Sequence, residues 1–429
     1  MPIKTLHITN SYHQNSGGIS TFYRALMEGA NRLERQMTLV VPGEQARTEV
    51  VGEFARIRFV KAPHAPSFDR RYRLLMPTKY LPGFDGELKR VLTEEKPDLI
   101  EICDKYSVSW LAGLLRRRWL NGLPRTVLVG MNCERMDDNV SAFITKGNAG
   151  KTWSQFFLGN LYIPLFDYHI ANSDYTAAEL LSAMTAKHPR EIRVLPMGAN
   201  IAEFAAAIPN ETKRRQLLAQ VNGDSNTRLL LYAGRLSPEK NVPLLIELME
   251  RLADENFRLI VAGAGPLADW MESETNRRAP GKVLSLGHVQ DRQALINLYA
   301  NCDAFVHPNP REPFGIAPLE AMAAGLPLVA PNSGGVLSYA NDTNAWLAKA
   351  NADAFAAAVK SVFADASVRK DKLARARWTA EQYSWSEVAD RFFALYDELH
   401  AAFPSSRFAH QIRPNKFSKS PQEIAAEKV

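Results

Sequence analysis

Long apolar runs are missing from this chain of 429 residues. No stretch approaches the roughly 20 apolar residues that a membrane-crossing helix needs. The opening MPIKTLHITN reads as a strand and a polar turn, without the apolar segment and small-residue cleavage site of a secretory leader. Cysteine is scarce. Cys103, Cys133 and Cys302 are odd in number and far apart, which argues against a zinc cluster and points to a reducing compartment. A cytoplasmic protein is therefore expected. The sequence has no Asp-x-Asp pattern, so a catalytic metal is not expected. No cofactor is expected either. No nucleic-acid-binding motif accompanies its basic residues, so nucleic acid is not an expected partner.

What is present fits a globular protein of two domains: 46% hydrophobic and 23% charged residues over a length that exceeds one ordinary core. The formal charge is +6, and the excess gathers in the first half, at Arg70, Arg71 and Arg73 around Tyr72, and at Arg116, Arg117 and Arg118 beside Trp119. Such clusters are either solvated helix faces or sites of peripheral contact with an anionic membrane.

Apolar strand-like runs alternate with helical periodicity along most of the chain. Strands are expected over 5–8, 37–41, 56–60, 98–102, 126–129, 168–171 and 192–195. Helices are expected over 19–33, 87–95, 108–120 and 175–184, with Ser173 or Asp174 as cap of the last. Residues 62–86 carry no regular pattern. The stretch 196–200 reads as a linker. Strands then return at 228–232, 257–261, 283–286, 304–306, 328–330 and 346–347. Helices return at 211–219, 242–253, 293–301, 353–363, 368–383 and 386–401. This alternation predicts two parallel sheets, each wrapped by helices on both faces. The domains are expected at 1–200 and 201–385, with a helix near 386–402 returning to the first, and 404–429 as a mobile tail.

The densest chemistry lies in 307–335, HPNPREPFGIAPLEAMAAGLPLVAPNSGG. Glu312 and Glu320 stand eight positions apart, a little over two helical turns, across a Gly-containing turn that starts a helix. A helix start offers free amides and the positive end of a dipole to a phosphate. Carboxylates accept from sugar hydroxyls. The pair of features suits a nucleotide sugar. Arg235 follows Gly234 at the end of a strand, and Lys240 precedes a helix, which is a pair of cations placed for a diphosphate. Gly17 and Gly18 lie in the loop after the first strand, where a phosphate approaches in doubly wound folds. Gly263-Ala264-Gly265 resembles the start of a dinucleotide fingerprint, but no acidic residue follows the next strand, so a tight turn is expected there.

The segment Glu312-Pro-Phe314-Gly315 through Glu320 resembles the E-x-F-G-x4-E signature of the retaining glycosyltransferases of family four. Gly17-Gly18, Asn172-Ser173, the run 194–200, and Gly234-Arg235 with Lys240 occur in the family's order and span most of the chain. The resemblance implies an α/β GT-B fold, two Rossmann-like doubly wound domains facing across a cleft. It implies hexosyl transfer from a nucleotide diphosphate sugar to a hydroxyl acceptor, lipid-linked or a glycan, with the donor in the second domain. By the same resemblance, Arg235, Lys240 and Glu312 are catalytic. Gly17, Gly18, Gly234, His288, Val289, Phe314, Gly315, Ile316 and Glu320 bind the donor. On the acceptor side, Asp104, Cys133, Glu134 and Arg135 resemble a stretch of the mannosyltransferase subgroup that uses GDP-mannose, with Cys133 where those members have His. Three rival functions are a nucleotide-sugar epimerase of the same fold, a dinucleotide-dependent oxidoreductase and a non-catalytic nucleotide-binding relative.

Overall fold

The computed structural model describes residues 2–12, 17–65, 73–81, 86–120, 122–143 and 148–406. Arg70, Arg71, Tyr72 and the tail from 407 onward lie outside the described residues. The chain divides into two compact units, one running to Met197 and taking back the chain from Trp385, the other Gly198–Ser384.

In the first unit the elements follow as β1 (Thr5–Thr9), α1 (Gly18–Arg32), β2 (Met37–Gly43), β3 (Arg47–Val50), β4 (Ala55–Lys61), α2 (Glu87–Glu95) and β5 (Leu99–Cys103). Then come α3 (Ser109–Arg116), β6 (Val127–Asn132), α4 (Met136–Phe143), α5 (Asn148–Phe157), β7 (Tyr168–Ala171), α6 (Asp174–Ala183) and β8 (Glu191–Val194). The sheet order is β3-β4-β2-β1-β5-β6-β7-β8, with only the β3–β4 pair antiparallel. β1, β5, β6 and β7 are buried along their whole length. That explains why they read as continuous apolar runs: helices cover both faces of a parallel sheet. Ser173 caps α6 through a capping box with Thr176. The helix expected to reach 120 stops at Arg116, and Arg118 turns the chain with a φ of 56°.

The second unit holds α7 (Ile201–Ala205), α8 (Glu211–Gln220), β9 (Arg228–Ala233), α9 (Pro243–Arg251), β10 (Phe257–Ala262), α10 (Ala268–Arg278), β11 (Val283–Ser285) and α11 (Arg292–Asn301). It continues with β12 (Ala304–Val306), α12 (Ile316–Ala324), β13 (Leu328–Pro331), β14 (Trp346–Ala348), α13 (Ala352–Ala364) and α14 (Ala366–Glu381). Its six strands are all parallel, in the order β11-β10-β9-β12-β13-β14. The order reverses between β9 and β12. Doubly wound sheets bind ligands outside the carboxyl ends of the strands at such a reversal. In the first unit the reversal lies between β1 and β5.

The last described helix, α15 (Trp385–Ser406), belongs to the first unit. It packs on α1, where Phe392 meets Phe22 at 4.9 Å between ring centroids. Its Tyr396 hydroxyl donates to Glu101 Oε2 at 2.6 Å, in the middle of the sheet. Glu101 Oε1 is met by His7 Nδ1 and by the Tyr23 hydroxyl, each at 3.0 Å. A carboxylate with no solvent exposure thus has partners from β1, α1 and α15, the condition for burying a polar group without a large loss.

Candidate active site

The second unit's reversal point is built from two loops. β9 runs out through Gly234, Arg235 and the turn that carries Lys240. β12 runs out through His307 to Gly315, the residue before α12. Asn241 ties the loops together, its Nδ2 donating to the Pro308 carbonyl at 2.9 Å. Gly263 and Gly265 explain the apparent fingerprint. A Cβ on Gly263 would lie 1.9 Å from the Gly234 carbonyl oxygen, and one on Gly265 2.2 Å from that of Leu236. The glycines let the loop after β10 pack against the loop after β9.

Lys240 and Glu312 meet here. The ammonium lies 3.1 and 2.8 Å from the two carboxylate oxygens, and Asn309 Nδ2 donates to Oε2 at 3.1 Å. Burial of Glu312 opposes ionisation. Lys240, His307 and the hydrogen bonds from Lys240 and Asn309 outweigh it, and the carboxyl titrates down at about 2. His307 lies beneath, its Nε2 3.8 Å from Glu312 and without a hydrogen-bond partner. Burial lowers its pKa to about 4, so the ring is neutral at pH 7.

The turn into α12 is pinned from below. Gly315 sits at a φ of 91°, and its carbonyl accepts from the Tyr339 hydroxyl at 2.5 Å. No side chain caps α12, so the amides at its start point out of the turn. Phe314 is 2% exposed and packs against Tyr339 and Tyr383. It contributes to the core, and its segment contributes backbone to the site. Behind the turn, Gly335 N donates to the Glu312 carbonyl at 2.6 Å. Glu320 lies one turn into α12, almost buried, with Arg292 Nη2 3.3 Å from Oε1. Burial pushes its carboxyl up to about 7 against the pull of Arg292. His288 is exposed and Val289 half-buried, just after Gly287, which has a φ of 66°.

The remaining sequence candidates belong to the first unit. Gly17 precedes α1, Gly18 is its first residue, and both are exposed. Asp104 follows β5. Its Oδ1 accepts from the amides of Tyr106, Ser107 and Val108, and its Oδ2 from Asn10 Nδ2 at 3.0 Å. Asn10 and Asp104 thus join the two strand ends at this sheet's reversal. Cys133 is buried 3.9 Å from Cys103, sulfur to sulfur. Arg135 is gripped by Asp137 through two hydrogen bonds and lies over the Tyr175 ring. The Glu134 carbonyl accepts from Lys105 at 2.6 Å.

Several site residues escaped the sequence reading. Asn309 and His307 stand within the singled-out stretch, and their polarity beside a strand end was the available signal. Lys105, which also pairs with Glu179 at 3.0 Å, and Arg292 gave none. Among the described residues no group of three or more His, Cys, Asp and Glu is arranged to hold a metal ion, and no helix is long and apolar enough to cross a membrane.

Two families match the chain. Residues 17–198 match the "Glycosyl transferase 4-like domain" and residues 213–381 the "Glycosyl transferases group 1". A GDP-mannose-dependent alpha-(1-6)-phosphatidylinositol dimannoside mannosyltransferase of Mycobacterium tuberculosis is 25% identical over 396 residues, 91% of this chain and 95% of that protein. Among solved structures, sucrose-phosphate synthase from Thermosynechococcus elongatus aligns with a TM-score of 0.73 at 19% identity, covering 93% of this chain and all of that one. Anabaena HepE in complex with UDP-glucose aligns with a TM-score of 0.67 at 16% identity, covering 92% and 100%.

Proposed function

Because the chain belongs to the family-four glycosyltransferases of GT-B fold and is a hexosyltransferase, we propose that it moves mannose from GDP-mannose to a hydroxyl acceptor with retention at the anomeric carbon. The observation that carries this reading is the cluster at the reversal point of the second sheet. There a Lys240-bound Glu312, Arg235 and the uncapped start of α12 share one pair of loops. Arg235, Lys240 and the amides of Phe314 to Ile316 neutralise the departing diphosphate, an electrostatic contribution of the kind that dominates such transfers. Glu312, ionised throughout the neutral range, accepts from sugar hydroxyls. Glu320 accepts from the ribose. Gly234 lets the backbone approach the diphosphate, and His288 and Val289 border the base. In the first unit, Gly17 and Gly18 stand at the start of α1, and by the family resemblance they are donor-binding residues. Asp104, Cys133, Glu134 and Arg135 serve the acceptor side. The full-length likeness to a GDP-mannose-dependent enzyme supports the choice of donor. We expect the reaction to need neither metal nor cofactor.

A thermal-shift titration with GDP, UDP and ADP tests the donor. A ligand that binds only the folded state at a hundred times its Kd adds about 2.7 kcal/mol of stability. Stabilisation by GDP, with mannosyl transfer in the presence of a chelator and an axial product by NMR, is the expected result. Stabilisation by UDP alone, or turnover lost with the chelator, overturns the GDP-mannose or the metal-free reading.

The acceptor is proposed to be lipid-linked and met at an anionic bilayer. On the first unit, Trp110 of α3 and Trp153 of α5 flank Phe157, at 6.3 and 5.6 Å between centroids. Trp153 and Phe156 are 52% and 61% exposed. Arg116 is tied to Asp167, but Arg117 and Arg118 are exposed just past the end of α3, next to the exposed Trp119. Residues 105–133 and 139–166 hold no acidic residue. Aromatic rings beside cations complement a negatively charged interface. Flotation with phosphatidylcholine vesicles, with and without phosphatidylglycerol, tests it. Binding that needs the anionic lipid and is lost in a Trp153→Asp, Phe156→Asp variant is expected; no binding at low salt refutes it.

A further inference from the structure

Glu320 is a carboxylate in a poor place for one. Its side chain is 9% exposed on a helix whose neighbouring residues, Pro318 to Ala323, are buried. The nearest cation comes from another helix. Arg292 is the first residue of α11, and its guanidinium is held at three points. Nε donates to Glu203 Oε2 at 2.8 Å, Nη2 donates to Glu320 Oε1 at 3.3 Å, and the plane lies 4.8 Å from the centre of the Phe204 ring. Glu203 and Phe204 both belong to α7, so one short helix grips the arginine while its far end reaches the buried acid. Arg292 takes Oε1, and among the described residues no hydrogen bond is made to Oε2.

We propose that Arg292 is a positioning residue that keeps Glu320 deprotonated and oriented to accept the ribose hydroxyls of the donor, and that Glu203 tunes this hold. The proposal rests on the reading of Glu320 as the ribose contact. A carboxylate accepts from two vicinal hydroxyls, whereas a protonated acid has given one oxygen to a proton. Burial drives Glu320 toward the protonated form, Arg292 opposes it, and the Glu203 charge adds to the burial effect. The other groups facing α12 are few. α11 adds Tyr299, whose hydroxyl donates to the Ala317 carbonyl and which burial keeps neutral. α14 brings Arg377 against Gly325, beyond the far end of α12. β13 brings no charge.

The two neighbours act in opposite directions, which separates this role from a merely structural one. Removing Arg292 raises the pH at which Glu320 loses its proton, and removing Glu203 lowers it. The test has two arms. In the first, the side-chain carboxyl carbon of Glu320 is titrated by NMR in ligand-free protein labelled at glutamate, with Glu320→Gln to assign the signal. The midpoint is expected to move up in Arg292→Gln, down in Glu203→Gln, and to stay near wild type in Arg292→Lys, which keeps the charge. A midpoint unchanged in Arg292→Gln overturns the proposal, whether or not any nucleotide binds. In the second arm, GDP affinity is followed from pH 6 to 9. Arg292→Gln should bind roughly fivefold more weakly at neutral pH, the effect of raising a pKa of about 7 by one unit, and recover at high pH. A loss equal at every pH overturns it. GDP, UDP and ADP all failing to bind the wild type refutes the ribose contact itself and leaves the carboxyl titration to decide on Arg292.

Discussion

The Lys240 ammonium reaches both oxygens of Glu312, 72 positions further along the chain, and no other cation is hydrogen-bonded to that carboxylate among the described residues. Lys240→Ala leaves a buried carboxylate with only Asn309 and a neutral His307 beside it. Breaking a buried pair costs about 3 kcal/mol, less where one partner is part-exposed as Lys240 is. Urea denaturation at pH 7 should show a loss of about 2 kcal/mol, and transfer should fall about a hundredfold. Full activity in this variant would remove the electrostatic argument.

The same pair sets an acid limb of stability. Glu312 titrates at about 2 in the fold and near its ordinary 4.5 when unfolded. Its folded pKa is depressed, so its contribution is complete above pH 4.5 and is lost as the pH falls toward 2. Wild-type stability followed by urea denaturation should therefore fall as the pH drops from 4.5 toward 2, and its advantage over Lys240→Ala should be smaller at pH 2 than at pH 7.

His307 acts at milder pH. Its folded pKa of about 4 lies below the ordinary 6.5, so the unfolded chain takes up the proton first. Stability should decline as the pH falls from 6.5 to 4. His307→Leu, which replaces a nitrogen that has no hydrogen-bond partner, should flatten that decline when midpoints are compared at pH 7 and 5.

Gly335→Ala probes the floor of the site. The added Cβ would sit 1.9 Å from the Pro313 carbonyl oxygen, a backbone atom that cannot move aside without shifting Glu312. We expect a loss of about 2 kcal/mol and weakened nucleotide binding, read by calorimetry. An unchanged affinity would show that the loop does not hold the ligand.

Lys105→Met breaks a pair in which both side chains are almost fully buried, Lys105 at 3% and Glu179 at 1% exposure. A loss of about 3 kcal/mol is expected, with much of it recovered in Lys105→Met, Glu179→Met. A double variant no more stable than the single one would refute the pairing argument.

The parallel strands were legible because their burial on both faces writes itself as unbroken apolar runs, as in LIEIC and RLLLYA. The loop at Glu312 was legible because proline, glycine and carboxylate crowd one turn. β3 was not, since all four of its residues are exposed and a lone antiparallel edge needs no apolar face. α10, with only Met271 and Thr275 buried, hid for the same reason. Arg292 was one charge among many at a helix start. Its meaning comes from α7 and α12, which only the folded chain brings to it. Cys133 could be aligned to a family histidine, but its closeness to Cys103 follows from strand pairing.

The return of α15 gives the molecule an order of completion opposite to its order of synthesis. β1, α1 and β5, which carry His7, Tyr23 and Glu101, leave the ribosome early. The hydroxyl of Tyr396 arrives about three hundred residues later, after the entire second unit. Until then Phe22 of α1 lacks its packing partner Phe392. The nascent first unit is thus an unfinished body that must wait for its own last helix.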